Sequence, residues 1–275
     1  MGIRRIPADH TDLLSPRSRL LRIPSELNVP LLGSVAFGLI DRGTNLIQVR
    51  PSSSCPLSCI FCSTDAGPSS KTRISEYLVD LDYLMDWFTR IVDYKGVDDV
   101  EAHIDTVGDP LVYPRLVDLV SRLRKDPRVL VISMQTHGFL LTEELIYRLE
   151  EAGMDRINLS IDAMDERRAR ILSGTPSYDL ERVKELAEII VENTEMDLLI
   201  SPVWVPGIND KDIPRIIEFA LDVGAGKRWP PLGIQKYVAH SMGRRPEGVR
   251  PMGWGEFYRA LERWEREFGV KLILS

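Results

Sequence analysis

The sequence predicts an α/β fold built around a parallel-stranded sheet. Short apolar runs alternate, about six times, with segments whose apolar residues recur at helical spacing. The connections are helix-length, which parallel neighbours require because the chain must return to the same end of the sheet. Polar clusters follow the strand-like runs, where α/β proteins gather their ligand-binding loops. Periodicity alone leaves open a doubly wound sheet, a complete barrel or a partial one.

The elements follow in order. After an irregular, Pro-bearing opening of roughly thirty residues, VAFGLIDRGTNLIQVR places two apolar runs either side of DRGTN, whose Gly43 suits a hairpin turn. The second arm, Leu46 to Val49, leads directly into RPSSSCPLSCIFCSTD. Leu78, Leu81, Met85, Phe88 and Val92 then share one helical face, and VEAHIDTV reads as a strand. Helix RLVDLVSRLR, strand RVLVISMQT, helix TEELIYRLEEAG and strand RINLSID come next. A helix carrying Val183, Leu186, Ala187, Ile190 and Val191 precedes strand MDLLISPVWV. Ile213, Ile216, Ile217, Ala220 and Leu221 repeat that spacing before strand LGIQKYV. A last helix presents Phe257, Ala260, Leu261, Trp264 and Phe268, and VKLIL is expected as a closing strand. Residues 1–44 are expected as an N-terminal extension and hairpin, and 45–275 as one compact core whose part 226–275 faces the substrate.

Composition excludes several classes. With 44% hydrophobic and 28% charged residues and no apolar run long enough for a bilayer, the chain reads as a soluble, cytoplasmic protein with no membrane partner. MGIRRIPADH lacks the apolar stretch of a signal peptide. A net charge of −6 gives no general attraction to polyanions, so a nucleic-acid partner is not indicated by charge.

All 3 cysteines lie in one short stretch, Cys55, Cys59 and Cys62 in the spacing C-x3-C-x2-C. An odd, clustered set does not make a disulfide framework. Thiolates are soft ligands suited to iron-sulfur clusters, zinc or copper(I). Structural zinc closes with four ligands, and the histidines that could complete a set (His10, His103, His137, His240) are all remote from the loop in sequence. Three thiolates on a cube would leave one iron open, as a catalytic metal site requires. The alternatives are a structural zinc with a remote histidine, or a buried thiol cluster with no metal.

These residues resemble the signature of the radical S-adenosylmethionine (radical SAM) enzymes: C-x3-C-x2-C after the first strand of a βα series, with the aromatic Phe61 before the third cysteine. The resemblance implies a partial TIM-type (βα)6 barrel and a 4Fe-4S cluster on Cys55, Cys59 and Cys62. It further implies S-adenosylmethionine chelated at the open iron and cleaved to a 5'-deoxyadenosyl radical that abstracts hydrogen from a substrate carbon. An external electron donor such as ferredoxin or flavodoxin is implied as partner. VGDPL resembles the family's Gly-Gly-Glu-Pro motif, with Val107 for the first glycine and Asp109 for the glutamate, which makes Gly108 and Asp109 the expected methionyl-binding pair. RINLSIDAMD resembles the fourth-strand segment with Ser160 as the ribose or carboxylate ligand; Asp162 either assists it or caps the next helix. VWVPGIND resembles the adenine-side segment, with Val203 and Val205 as contacts, and QTHG resembles a Thr-Asn-Gly turn with His137 replacing the asparagine.

INLSIDAMD and PGIND are most similar to the branch containing the molybdenum-cofactor cyclase. The second, three-cysteine cluster of that enzyme has no counterpart among these 275 residues, which also argues against relatives with auxiliary clusters or cysteine methyl carriers. The Gly/Pro-rich stretch from Ala225 to Trp254 supplies the substrate-side candidates Gln235, Lys236, His240, Arg244 and Arg245, to which His137 is added from the third loop. Lys236, if buried, needs a carboxylate, a phosphate or the substrate as partner. Arg244, Arg245 and Arg250 are expected to receive an anionic substrate group. Rival readings are a glycyl-radical activating enzyme, an RNA-modifying enzyme and, outside the class, a non-catalytic zinc- or cluster-binding module.

Overall fold

A computed structural model describes residues 18–273. The readings made for His10 and for MGIRRIPADH lie outside the described residues. No helix among the described residues is long and apolar enough to cross a membrane. The chain divides into two compact units. The first runs to Ser58 and adds Asp65–Thr136 and Leu140–Arg156; the second comprises Cys59–Thr64, His137–Phe139 and everything from Ile157.

The first unit contains strands β1 (Arg19–Ile23), β2 (Gly38–Asp41), β3 (Leu46–Arg50), β4 (Ser75–Val79), β5 (Val100–Ile104) and β6 (Val129–Thr136). Its helices are α1 (Leu81–Lys95), α2 (Leu116–Arg124) and α3 (Glu143–Ala152). β2 and β3 form the expected antiparallel hairpin, turned at Gly43, whose φ of 73° lies in the left-handed region and whose N–H donates to Asp41 Oδ1 at 2.9 Å. β3, β5 and β6 are parallel, in the order β2-β3-β5-β6. A separate ribbon pairs β1 with β4 in parallel. It replaces the irregular opening expected for RLLRI, and it draws Leu78 out of the predicted helix into β4.

Alternation along the sheet sorts its faces. Ile47, Val49, Ala102, Ile104, Ile132 and Met134 are fully buried on one face, where each large aliphatic side chain contributes roughly 1.5–3 kcal/mol. Gln48, Glu101, His103, Asp105 and Ser133 occupy the other. Thr142 caps α3 by accepting from the Leu145 N–H at 3.1 Å, as a threonine before an acidic first turn does.

The second unit contains β7 (Arg156–Leu159, whose first residue belongs to the first unit), α4 (Glu166–Ser173), α5 (Leu180–Asn193), β8 (Asp197–Ile200), β9 (Val203–Trp204), α6 (Asp212–Asp222), β10 (Gln235–Lys236) and α7 (Trp254–Phe268). Asp165 and Asp179 cap α4 and α5, accepting from the N–H groups of Arg168 and Arg182 at 2.9 and 3.0 Å. Three expectations are corrected here. Two helices, not one, separate β7 from β8; α4 carries few apolar residues and hides its period. LGIQKYV shortens to the two-residue β10, paired with β9, because Pro202, Pro230 and Pro231 interrupt the ladder around it. Residues 270–273 form no strand; the N–H groups of Leu272 and Ile273 donate to Glu265 Oε1 instead, at 2.7 and 2.9 Å.

Candidate active site

In the first unit, residues 51–58 leave β3 and are pinned along β4. Ser53 N–H donates to the Tyr77 carbonyl at 3.1 Å, and Val79 N–H donates to the Pro51 carbonyl at 2.9 Å. Ser53 Oγ accepts from Tyr77 N–H at 2.8 Å and donates to the buried Glu76 carboxylate. Burial pushes the Glu76 carboxyl up, against the pull of Arg73 and Ser53. Arg73 ties three segments together: its guanidinium donates to the Ser53 carbonyl at 2.7 Å, to Glu76 at 3.0 Å and to the Val107 carbonyl at 2.5 Å. Nothing in the sequence periodicity marks this arginine, because two of its three partners are backbone carbonyls brought together by folding. Arg73→Ala leaves Glu76 buried without its cation, so an expected loss of ~3 kcal/mol is to be read from chemical denaturation.

The expected methionyl-binding pair sits against this stretch. A Cβ on Gly108 would lie 2.0 Å from the Ser54 carbonyl oxygen and 2.5 Å from that of Ser53, so only glycine lets the β5 loop approach so closely. Asp109 N–H donates to the Ser54 carbonyl at 2.9 Å. The Asp109 carboxylate is buried and held in place, accepting from Thr136 Oγ1 at 2.9 Å and from Leu111 N–H at 3.0 Å. Downstream, Asp65 accepts from the N–H groups of Lys71 and Thr72, both at 2.9 Å, and knots the end of the segment. Cys55 is buried within this unit.

In the second unit, Cys59 is buried and Cys62 half-buried, and a turn closes between them as Cys62 N–H donates to the Cys59 carbonyl at 3.1 Å. Phe61 is buried. Arg244 braces this turn: its backbone N–H donates to the Cys62 carbonyl at 2.8 Å and its guanidinium to the Cys59 carbonyl at 3.0 Å. Its charge is thus directed at the thiol loop. Cys59 Sγ also lies 3.9 Å from His137 Nε2, and the opposite ring nitrogen faces Asp162 at 3.7 Å. Asp162 accepts from Val203 N–H at 2.8 Å, and burial pushes its carboxyl up. The cap of the following helix is Asp165, so Asp162 does not serve as one.

Ser160 is buried directly after β7. Val205 is fully buried, its N–H donating to Asn209 Oδ1 at 2.8 Å, while Val203 is half-buried. Asn209 also donates to the carbonyls of Asp162 and Val203 at 2.8 and 2.9 Å, binding PGIND to the loop after β7. Among the described residues no carboxylate pairs with Lys236; its ammonium stands over the Trp254 ring, 4.7 Å from the centroid. Gln235, His240 and Arg250 are exposed, and Arg245 Nε donates to the His240 carbonyl at 3.3 Å.

Among the described residues no three His, Cys, Asp or Glu side chains come together as the ligand set of a single metal ion. All three cysteines remain thiols. A closed tetrahedral zinc site calls for four nitrogen or sulfur ligands around one ion. Three thiols of one short stretch suit a polynuclear iron-sulfur group better.

Comparison with known proteins identifies the class. The fold is an α/β arrangement with a mixed sheet and flanking helices, as in the partial (βα)6 barrel. It is shared with SuiB from Streptococcus suis (TM-score 0.62, 14% identity, 84% of this chain and 48% of that one) and with the Escherichia coli coproporphyrinogen III oxidase HemN (TM-score 0.52, 12% identity, 93% and 53%). The chain belongs to the Radical SAM superfamily, whose pattern matches residues 49–220. An uncharacterised protein of Methanocaldococcus jannaschii is 43% identical across 90% of this chain and 61% of its own length. A GTP 3',8-cyclase from Chlorobaculum tepidum is 25% identical across 74% of this chain and 57% of its own length. The chain thus spans roughly three fifths of the curated relatives it matches, and the cysteine count applies to these 275 residues alone.

Proposed function

We propose that this protein is a radical SAM enzyme in which Cys55, Cys59 and Cys62 hold a 4Fe-4S cluster at three of its four irons. The observation that carries this reading is the C-x3-C-x2-C spacing directly after β3, in a chain that matches its superfamily from residue 49. When bound, the cluster supplies one electron to S-adenosylmethionine and so the adenosyl radical that takes hydrogen from a substrate carbon.

The chain's own residues position and shield. Gly108 lets backbone approach the thiol loop, Asp109 offers a fixed carboxylate to the methionyl ammonium, and Ser160 offers a hydroxyl to the ribose or carboxylate. Phe61 and Val205 pack the apolar side. Arg244 holds the Cys59–Cys62 turn through two carbonyls, a role supported by its distances of 2.8 and 3.0 Å. The electron donor is a ferredoxin- or flavodoxin-type protein.

The test is reconstitution without oxygen. The protein is expected to turn brown and, given dithionite and S-adenosylmethionine, to release 5'-deoxyadenosine. A colourless protein with one zinc per chain would instead establish a non-catalytic zinc module.

A further inference from the structure

In the second unit, the loop that follows β10 makes a contact with the thiol loop that holding a cluster does not by itself require. Gly243 N–H and Arg245 Nε both donate to the His240 carbonyl, each at 3.3 Å, so residues 240–245 close on themselves as a turn. A Cβ on Gly243 would stand 2.8 Å from the Cys62 carbonyl oxygen and 2.9 Å from the Cα and carbonyl oxygen of Ser63. Those are backbone atoms with no rotamer to change, so glycine is what lets the two loops touch. Arg244, the next residue, then makes the two bonds that brace the Cys59–Cys62 turn.

The two bonds differ in kind. Any residue but proline at 244 could offer the backbone N–H that meets the Cys62 carbonyl. The second bond brings a permanent cation to the carbonyl of a cysteine, where a neutral donor would satisfy the oxygen as well. Arg244 and Cys62 are half-buried and Cys59 is buried, so water screens this charge only in part. Reduction adds one negative charge to a cluster that three thiolates already surround. Net charge and hydrogen bonding around such a cluster set its potential, and a fixed cation beside it favours the reduced form.

We propose that Arg244 is a positioning residue for the one-electron step, its guanidinium clasping the Cys59–Cys62 turn and raising the reduction potential of the cluster, with Gly243 permitting the approach. This deepens the reading above and rests on it for the presence of the cluster.

The experiment uses the full chain in two states. In the iron-free protein, hydrogen exchange followed by mass spectrometry on peptides covering residues 57–66 tests the clasp. Arg244→Met is expected to speed exchange at the Cys59–Cys62 turn several-fold. In the reconstituted protein without S-adenosylmethionine, a redox titration followed by electron paramagnetic resonance tests the charge. Arg244→Met is expected to disfavour reduction about 10-fold, which is 59 mV lower for one electron. Arg244→Lys, which keeps the charge, is expected to recover most of that loss, whereas a merely structural role would leave the two variants alike. Exchange unchanged in Arg244→Met, a midpoint unchanged in Arg244→Met, equal midpoint shifts in the two variants, or a cluster lost as readily from Arg244→Lys as from Arg244→Met would each overturn the proposal. A wild-type protein that binds no iron would instead defeat the cluster reading, and the exchange result would still stand separately.

Discussion

Alanine at Cys55, Cys59 or Cys62 is expected to yield a protein that stays colourless after reconstitution and releases 5'-deoxyadenosine only at background level. The chain has 3 cysteines in all, so no other thiolate can take the vacated corner. The substitution removes little from the fold, because a buried cysteine packs as a small apolar residue and losing its sulfur costs about 1 kcal/mol. Iron and sulfide per chain should therefore fall while the melting curve of the metal-free protein barely moves. If each single variant retained wild-type iron and cofactor cleavage, the three-thiol reading would be untenable.

Gly108→Ala should be the most damaging single-methyl change in the motif loops. The added carbon would meet two backbone carbonyl oxygens at 2.0 and 2.5 Å, and backbone cannot rotate aside as a side chain can. Overpacking of this kind costs about 1–3 kcal/mol. Displacing the β5 loop also stretches the 2.9 Å bond from Asp109 N–H to the Ser54 carbonyl, worth about 1 kcal/mol more. Since Ser54 adjoins Cys55, the damage should reach the metal site: weaker retention of iron and a raised requirement for S-adenosylmethionine, beside a lower melting temperature. A stable Gly108→Ala variant with unchanged cofactor affinity would show that the close approach does not matter.

Much of this molecule was legible before folding. The hairpin at Gly43, the parallel strands β3, β5 and β6, and helices α1, α2, α5, α6 and α7 follow from apolar spacing and a turn glycine, which are local properties of the chain. The elements that were missed share a cause. β1 is a strand only because β4, more than fifty residues later, pairs with it, and α4 has too few apolar residues to display a period. Lys236 is satisfied by the face of Trp254, a contact between residues far apart in the chain. Arg244 was expected to meet an anionic ligand, and its position against two carbonyls of the thiol loop depends on how a distant loop folds back.

What the residues alone determined is the chemistry on offer: three soft donors in one short stretch, a glycine-acid-proline turn after the next strand, and an alternation of strands and helices that requires a parallel sheet. Those are matters of composition and spacing, set by side-chain type and backbone period. Which groups meet was decided only in three dimensions. The Arg73 tie, the carbonyls crowding Gly108 and the contacts of Ser133 with His103 and Glu101 all depend on directions and distances between segments that no local pattern encodes, because hydrogen bonding is short-ranged and the chain brings its partners together only by folding.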